Sequence, residues 1–312
     1  MRHPLSCASL LLLLLLPPQP WPAEAQDANW ALARRKTELR LQEIAGSVKG
    51  AMGLVALDLT SGERFAVNED LVFPQGSAIK IPVMMEVFKQ AAAGRFALGD
   101  RRAVAAKTGG SGVLKELGDG TSELAISDLV VLMILVSDNT ATNMLIDLVG
   151  MEEVNRTLGS LGLRATRLNR RMITPEASSR GEENLSTPAE AARVMELLHR
   201  GEFLSRKACE DMLAILRKPK PGSIRSGLPA GSEIAVAFKP GGIPGVSTEW
   251  AIVYLEARPY VLVVMENLAM EDEAAEAMRQ ISRTAYDYFW RRARSTPYGT
   301  YVEPRLLARP RR

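Results

Sequence analysis

The chain has 312 residues, 46% of them hydrophobic and 24% charged, with a formal net charge of +3. That is enough apolar material for a sizeable core in one large domain or two ordinary ones, and it excludes wholesale disorder or a collagen-like chain. Only two Cys and two His are present, and His3 and Cys7 lie in the first 25 residues. If that segment is removed, His199 and Cys209 remain alone. An intramolecular disulfide is then impossible, and a Cys/His zinc site nearly so. Any triad of the Ser-His-Asp kind would rest on His199 alone.

Residues 1–25 have the layout of a cleaved export signal. Arg2 supplies the positive start, Leu10 to Leu16 an unbroken apolar run, and Ala23-Glu24-Ala25 an A-x-A cleavage site. The run is far shorter than the roughly 20 residues that span a bilayer. The mature protein is therefore expected to be exported, periplasmic or extracellular, without an integral membrane segment, and monomeric. Residues 298–312 form a basic tail with four Arg after position 304, read as a solvated, frayed end. No basic stripe carries interleaved aromatics, so nucleic acid is not an expected partner.

Residues 30–46 show a helical period that places Leu32, Leu39 and Ile44 on the buried side. Residues 51–59 and 64–72 read as strands, with a hairpin turn at Ser61-Gly62. A helix follows over 78–93. From 96 to 216 the pattern is mostly helical, clearest at 127–136, 140–149, 151–160, 187–200 and 205–216. Cys209 falls at a core spacing with Met212 and Leu213. The stretch 164–186 has no period, and a loop that long in a compact domain is usually functional. Strand patterns return at 233–239, 248–256 and 259–266, and 271–293 closes as a long amphipathic helix. Strands at both ends with helices between predict an α+β fold. Residues 26–76 and 220–297 would build an antiparallel sheet flanked by the N- and C-terminal helices, and 77–219 an inserted, mostly helical subdomain.

Three short stretches carry candidate chemistry. In Ser77-Ala78-Ile79-Lys80, Ser and Lys three apart at a helix start can touch. Pro82 requires that start to lie near Ser77, at the positive end of the helix dipole. With histidine almost absent, Lys80 is the nearest base, provided its pKa is lowered. An N-terminal Ser with an exposed Lys is the plainer reading. Ser137-Asp138-Asn139 joins two helices, and its plainer reading is an N-cap. Its functional reading uses Ser137 as a proton relay and Asn139 as a substrate grip. Lys239-Pro240-Gly241-Gly242 closes a strand. It is either a polar turn or a place where a ligand approaches the backbone, and Pro240 confines it to an edge strand.

S-x-x-K, S-D-N and K-x-G in this order and spacing resemble the class A serine β-lactamases and penicillin-binding proteins. The resemblance covers nearly all of 28–293 and implies the β-lactamase-like fold. Thr166-Arg167-Leu168-Asn169-Arg170 and Asn184-Leu185-Ser186-Thr187-Pro188 are similar to the two ends of that family's omega loop, which places 164–186 along the active-site floor. The resemblance implies Ser77 as the acylated nucleophile and Lys80 as its activator. It implies Ser137 as proton relay and Asn139 as substrate grip. Lys239 would raise the local potential, depress the pKa of Lys80 and attract a substrate carboxylate. The backbone N–H groups of Ser77 and Gly242 would form the oxyanion hole, with Gly241 beside them. The implied substrate is a small β-lactam or an acyl-D-Ala-D-Ala-like amide. No metal and no organic cofactor is implied.

The sequence departs from the family pattern in three places. Met172 stands where class A enzymes carry the Glu that drives deacylating water. Glu176, four residues on, is the nearest carboxylate and the candidate replacement, or else a solvent-facing loop residue. Glu182 and Glu183 read as surface charges. Pro240 replaces a Thr or Ser whose hydroxyl binds the substrate carboxylate. The loop's ion pair becomes Arg170 with Asn184, a weaker bond that implies a more mobile loop. Three functions fit: an exported β-lactamase, a D-Ala-D-Ala carboxypeptidase or other peptidoglycan amidohydrolase, and a penicillin-binding sensor that acylates and stops. His199 is expected as a surface helix residue.

Overall fold

The computed structural model describes residues 23–104, 106–118 and 123–307, with side chains from residue 28. The expected signal over 1–22 and the last five residues of the basic tail lie outside the described residues. In chain order the elements begin with α1 (Ala23–Ser47), β1 (Ala51–Asp58), β2 (Arg64–Val67) and β3 (Phe73–Pro74). A 3-10 turn, Gly76–Ile79, leads into α2 (Lys80–Ala92). The middle holds β4 (Arg101–Ala103), β5 (Glu123–Ala125), α3 (Ile126–Leu135), α4 (Asn139–Val149) and α5 (Met151–Ser160). Next come α6 (Pro175–Ser179), β6 (Leu185–Ser186), α7 (Pro188–Arg200), α8 (Arg206–Leu216) and α9 (Ser223–Gly227). The chain closes with β7 (Val236–Ile243), β8 (Val246–Val253), β9 (Tyr260–Asn267) and α10 (Glu271–Arg294).

The main sheet has the order β2-β1-β9-β8-β7 and is antiparallel throughout, so β7 is an edge strand as Pro240 requires. The α+β class expected from the pattern is the observed one. Successive residues of β1 and β9 are buried on both faces. Val55, Ile252 and Val263 pack on the helical side with residues of α2, α3, α4, α7 and α8. Leu54, Ala251 and Leu262 pack on the other side against Leu41 and Ile44 of α1 and Met278, Ile281 and Phe289 of α10. This period of two is what a sheet covered on both faces demands.

Several expectations change. Ile44 is buried as expected, but Leu32 and Leu39 are exposed, and α1 buries Leu41 and Ala45 in their place. Leu39 and Leu41, two residues apart, lie on opposite sides of the helix, and it is the Leu41 side that faces the sheet. β2 stops at Val67, where Asn68 turns into the left-handed region (φ 48°). β7 does not close at Lys239: it runs on to Ile243, so Pro240, Gly241 and Gly242 lie within the strand. His199 is half-buried against Tyr254, ring centroids 6.0 Å apart. Burial lowers its pKa. The tail is not wholly frayed, since Val302 donates to Arg294 O (2.7 Å) and Pro304 is buried. Cys209 is buried and free.

Candidate active site

The 3-10 turn that carries Ser77 is held by close backbone packing. Gly76 has φ +48°, a conformation that glycine adopts without penalty. A Cβ there would come within 2.8 Å of Gly242 N, and one on Gly241 within 2.3 Å of Gln75 O. Glycines at both positions let β7 press against the turn, which sets Gly242 beside Ser77. Gln75 is buried: its amide donates to Phe73 O (2.8 Å), and its Oε1 accepts from Trp250 Nε1 (2.9 Å). The helix proper starts at Lys80 rather than Ser77, and the backbone N–H of Lys80 turns back to Ser77 O.

Lys80 is fully buried, and its Nζ donates to Ser137 O (2.8 Å), Ser137 Oγ (3.0 Å) and Asn139 Oδ1 (2.9 Å). Burial lowers its pKa to about 7, with Asp138 opposing. Burial is one of the two causes open to that lysine from its sequence, while the family resemblance implied Lys239. Lys239 Nζ reaches the same hydroxyl, Ser137 Oγ, at 3.1 Å, and also donates to Pro240 O (2.8 Å). Its own pKa is held well below the ordinary lysine range by burial first, then by the charges of Lys80 and Lys220, against Glu249.

Ser137 sits at φ 57°, a left-handed conformation that costs a non-glycine residue energy. Asp138 imposes it. Its Oδ1 accepts from Ala141 N (2.9 Å) as the N-cap of α4. Its Oδ2 accepts from Val113 N (2.7 Å) and Leu114 N (2.8 Å). The N-cap reading of S-D-N is therefore correct for Asp138, while its neighbours face the lysines. Asn139 is already engaged, since its Nδ2 donates to Gly109 O (3.0 Å).

Two cavities meet at Ser77, Ser111 and Gly242. One, of about 460 Å³, runs past Ser137 and Lys239 along β7 to Glu249 and α10. The other, of about 630 Å³, runs under the 164–186 loop past Asn139, Met172, Ile173 and Glu183. That loop is closed by an Arg167–Leu185 bridge, and Met172 N donates to Asn143 Oδ1 (2.8 Å). The Arg170 guanidinium does not pair with Asn184. Its Nε and Nη2 donate to Glu183 Oε2 (3.1 and 2.7 Å), while Asn184 Oδ1 accepts from Asn169 N and Arg170 N. The ion pair is kept by a shift of one residue, so Glu183 is no surface charge and the loop keeps a charge-assisted tie. Glu176 is exposed on α6 and is not among the residues lining either cavity. The structure thus brings Ser77, Lys80, Ser137, Asn139, Lys239, Gly241 and Gly242 together, and leaves Glu176 outside.

The sequence profile of the Beta-lactamase enzyme family matches residues 36–289. The chain belongs to that family. It is 31% identical over 251 residues to β-lactamase L2 of Stenotrophomonas maltophilia, covering 72% of this chain and 81% of that one. It is 25% identical over 260 residues to an imipenem-hydrolyzing β-lactamase of Enterobacter cloacae, covering 79% and 87%. Among solved structures it is similar to a β-lactamase from Sphaerobacter thermophilus DSM 20745 (36% identity, TM-score 0.73, 80% of this chain and 95% of that one). It is equally similar in shape to a leucine-to-glutamate mutant of PBP-A, solved as its acyl-enzyme complex with penicillin G (29% identity, TM-score 0.75, 82% and 97%). The fold is the β-lactamase fold, and the protein is a hydrolase of β-lactamase type. Among the described residues, no cluster of His, Cys, Asp and Glu could hold a metal ion, and no helix is long and apolar enough to cross a membrane.

Two features that matter were not read from the sequence. Glu249 lines the first cavity as a buried carboxylate, with only its place in a β-pattern to mark it. Ile173 projects over the second cavity at φ 56°, half exposed, a conformation no local sequence signal announces.

Proposed function

We propose that the protein is an exported serine hydrolase in which a β-lactam amide acylates Ser77 and the resulting ester is then hydrolysed. One observation carries the reading: a buried Lys80 amine with pKa about 7 lies 3.0 Å from Ser137 Oγ, at the cavity that Ser77 lines. In this reading the neutral Lys80 accepts the Ser77 proton as Oγ attacks the lactam carbonyl. The C–N bond breaks, and Ser137, bridging Lys80 and Lys239, delivers the proton to the departing nitrogen. The amides of Ser77 and Gly242 hold the oxyanion. Export rests on the residue pattern of 1–25.

The second half of the reaction is the weak step. Met172 lines the cavity where a base would act, and the carboxylate lining it, Glu183, is committed to Arg170. This favours a long-lived acyl-enzyme, and with it the penicillin-binding sensor as the second reading. The D-Ala-D-Ala carboxypeptidase uses the same residues. Incubating residues 26–312 with a chromogenic β-lactam, following colour and intact mass, separates them. Sustained colour release supports a β-lactamase. A stable adduct without turnover supports the sensor. Neither signal, with cleavage of an acyl-D-Ala-D-Ala peptide, supports the peptidase.

A further inference from the structure

A lactam carbonyl carbon has two neighbours, the nitrogen and the carbon that carries the side chain. With Ser137 placed to give the nitrogen its proton, the nitrogen and its fused ring lie on the side of Ser137 and Lys239, in the first cavity. The side-chain carbon then points the other way from Ser77, into the loop-side cavity of about 630 Å³. Much of that cavity is apolar: Met172, Ile173 and Pro175 line it from the loop, and Ile243 and Pro244 from the far end of β7 and the turn after it. Among the described residues that line it, only Arg170 and Glu183 are charged, and they are bonded to each other (2.7 Å).

Among these side chains, Ile173 is the one held at a conformational cost. It is 51% exposed and sits at φ 56°, where a β-branched residue is an outlier. Its neighbours fix it there. Met172 N donates to Asn143 Oδ1 (2.8 Å), and Asn143 Nδ2 donates to Met172 O (3.2 Å). On the other side, Thr174 O accepts from Ala177 N (3.1 Å) and Ser178 N (3.2 Å) as α6 begins. Between these two anchors the left-handed turn carries the isoleucine toward Gly110, which lines the same cavity. A Cβ on Gly110 would come within 3.1 Å of Ile173 Cδ1, so the close approach needs the glycine. A half-exposed isoleucine adds little to the core, and strain of this kind collects where ligands are held.

We propose that Ile173 is a specificity-determining residue: it is the apolar seat for the side chain of the acylating β-lactam, and it selects substrates with an aryl or alkyl acylamino group over those without one. The inference rests on acylation at Ser77, which directs the side chain into this cavity. Apolar contact made here on the way to the acyl-enzyme raises the rate on the bulky substrate and gives the small one nothing. The same contact disfavours an anionic substituent, which would lose its hydration against Ile173 and Met172.

The test measures the second-order rate constant of acylation, by intact mass, for benzylpenicillin and for 6-aminopenicillanic acid, the same fused ring without the phenylacetyl group. The wild type should favour benzylpenicillin. Glycine and asparagine both accept the left-handed conformation, so Ile173→Gly and Ile173→Asn remove the seat without forcing the loop. Melting temperatures verify the fold. In both variants the ratio of the two rate constants should fall by about tenfold, the worth of a lost apolar contact in a pocket. Equal losses on both compounds would assign Ile173 to holding the loop and overturn the inference, as would an unchanged ratio. A wild type that is acylated by both compounds at equal rates overturns it while leaving acylation at Ser77 intact. No adduct with either compound overturns it together with that reading.

Discussion

Lys80 and Lys239 reach one oxygen from two sides: their Nζ atoms lie 3.0 and 3.1 Å from Ser137 Oγ. The two lysines come from the helical side and the edge strand, so the hydroxyl joins both halves of the fold. Burial lowers both pKa values, and the Lys80 charge lowers that of Lys239 further. The site can therefore hold a neutral amine beside Ser77 near neutral pH without any histidine.

Acylation should follow that amine. Lys80 has its pKa lowered to about 7, so its basic form grows as pH rises through 7. The acylation rate with an uncharged β-lactam ester should climb with an apparent pKa near 7 and level off above it. Lys80→Ala should lower the plateau by roughly 10² to 10⁴. A flat profile in the wild type would rule Lys80 out as the base.

The missing carboxylate has a direct test. Met172 lines the loop-side cavity and its backbone is tied to Asn143, whereas Glu176 is exposed beyond it. Met172→Glu should speed deacylation by about 10² or more, measured as loss of the adduct mass. Glu176→Gln should leave deacylation within about twofold of the wild type. A large loss on Glu176→Gln would restore Glu176 as the base.

Asp138 should matter through Ser137. Its carboxylate caps α4 and accepts from three backbone N–H groups while 1% exposed. Asp138→Ala should cost about 2 to 4 kcal/mol in denaturant unfolding. It should also slow acylation, because the left-handed turn at Ser137 loses its support. Unchanged stability would contradict the capping account.

The loop tie makes a separate prediction. Arg170 and Glu183 are largely buried and joined through two donors. Glu183→Ala should destabilise by roughly 1 to 3 kcal/mol, by stranding the guanidinium. Asn184→Ala should also destabilise, since its Oδ1 accepts two amides of the opposite strand of the loop. Equal stability to the wild type in Glu183→Ala would mean that the pair is only a surface contact.

Much of this architecture was legible in the sequence because period and punctuation follow burial. Pro240 marked an edge strand, Pro82 placed the helix start within a few residues, and the β-type runs at 248–256 and 259–266 marked β8 and β9. The errors came where tertiary contacts choose between local options. Which face of α1 meets the sheet decided that Leu41, not Leu39, is buried. Arg170 had two acidic or amide partners one residue apart, and only the loop's path selects Glu183. Glu249 was invisible because a Glu in a strand pattern reads as solvent-facing until α9 is folded over it.

The central claim is acylation of Ser77. Wild-type protein and Ser77→Ala, each incubated with benzylpenicillin at pH 7.5, would be compared by intact mass and peptide mapping. The account predicts one added penicilloyl group on the wild type, mapped to the peptide carrying Ser77, and none on the variant. An adduct of equal yield on Ser77→Ala, or one mapped elsewhere on the wild type, would contradict it.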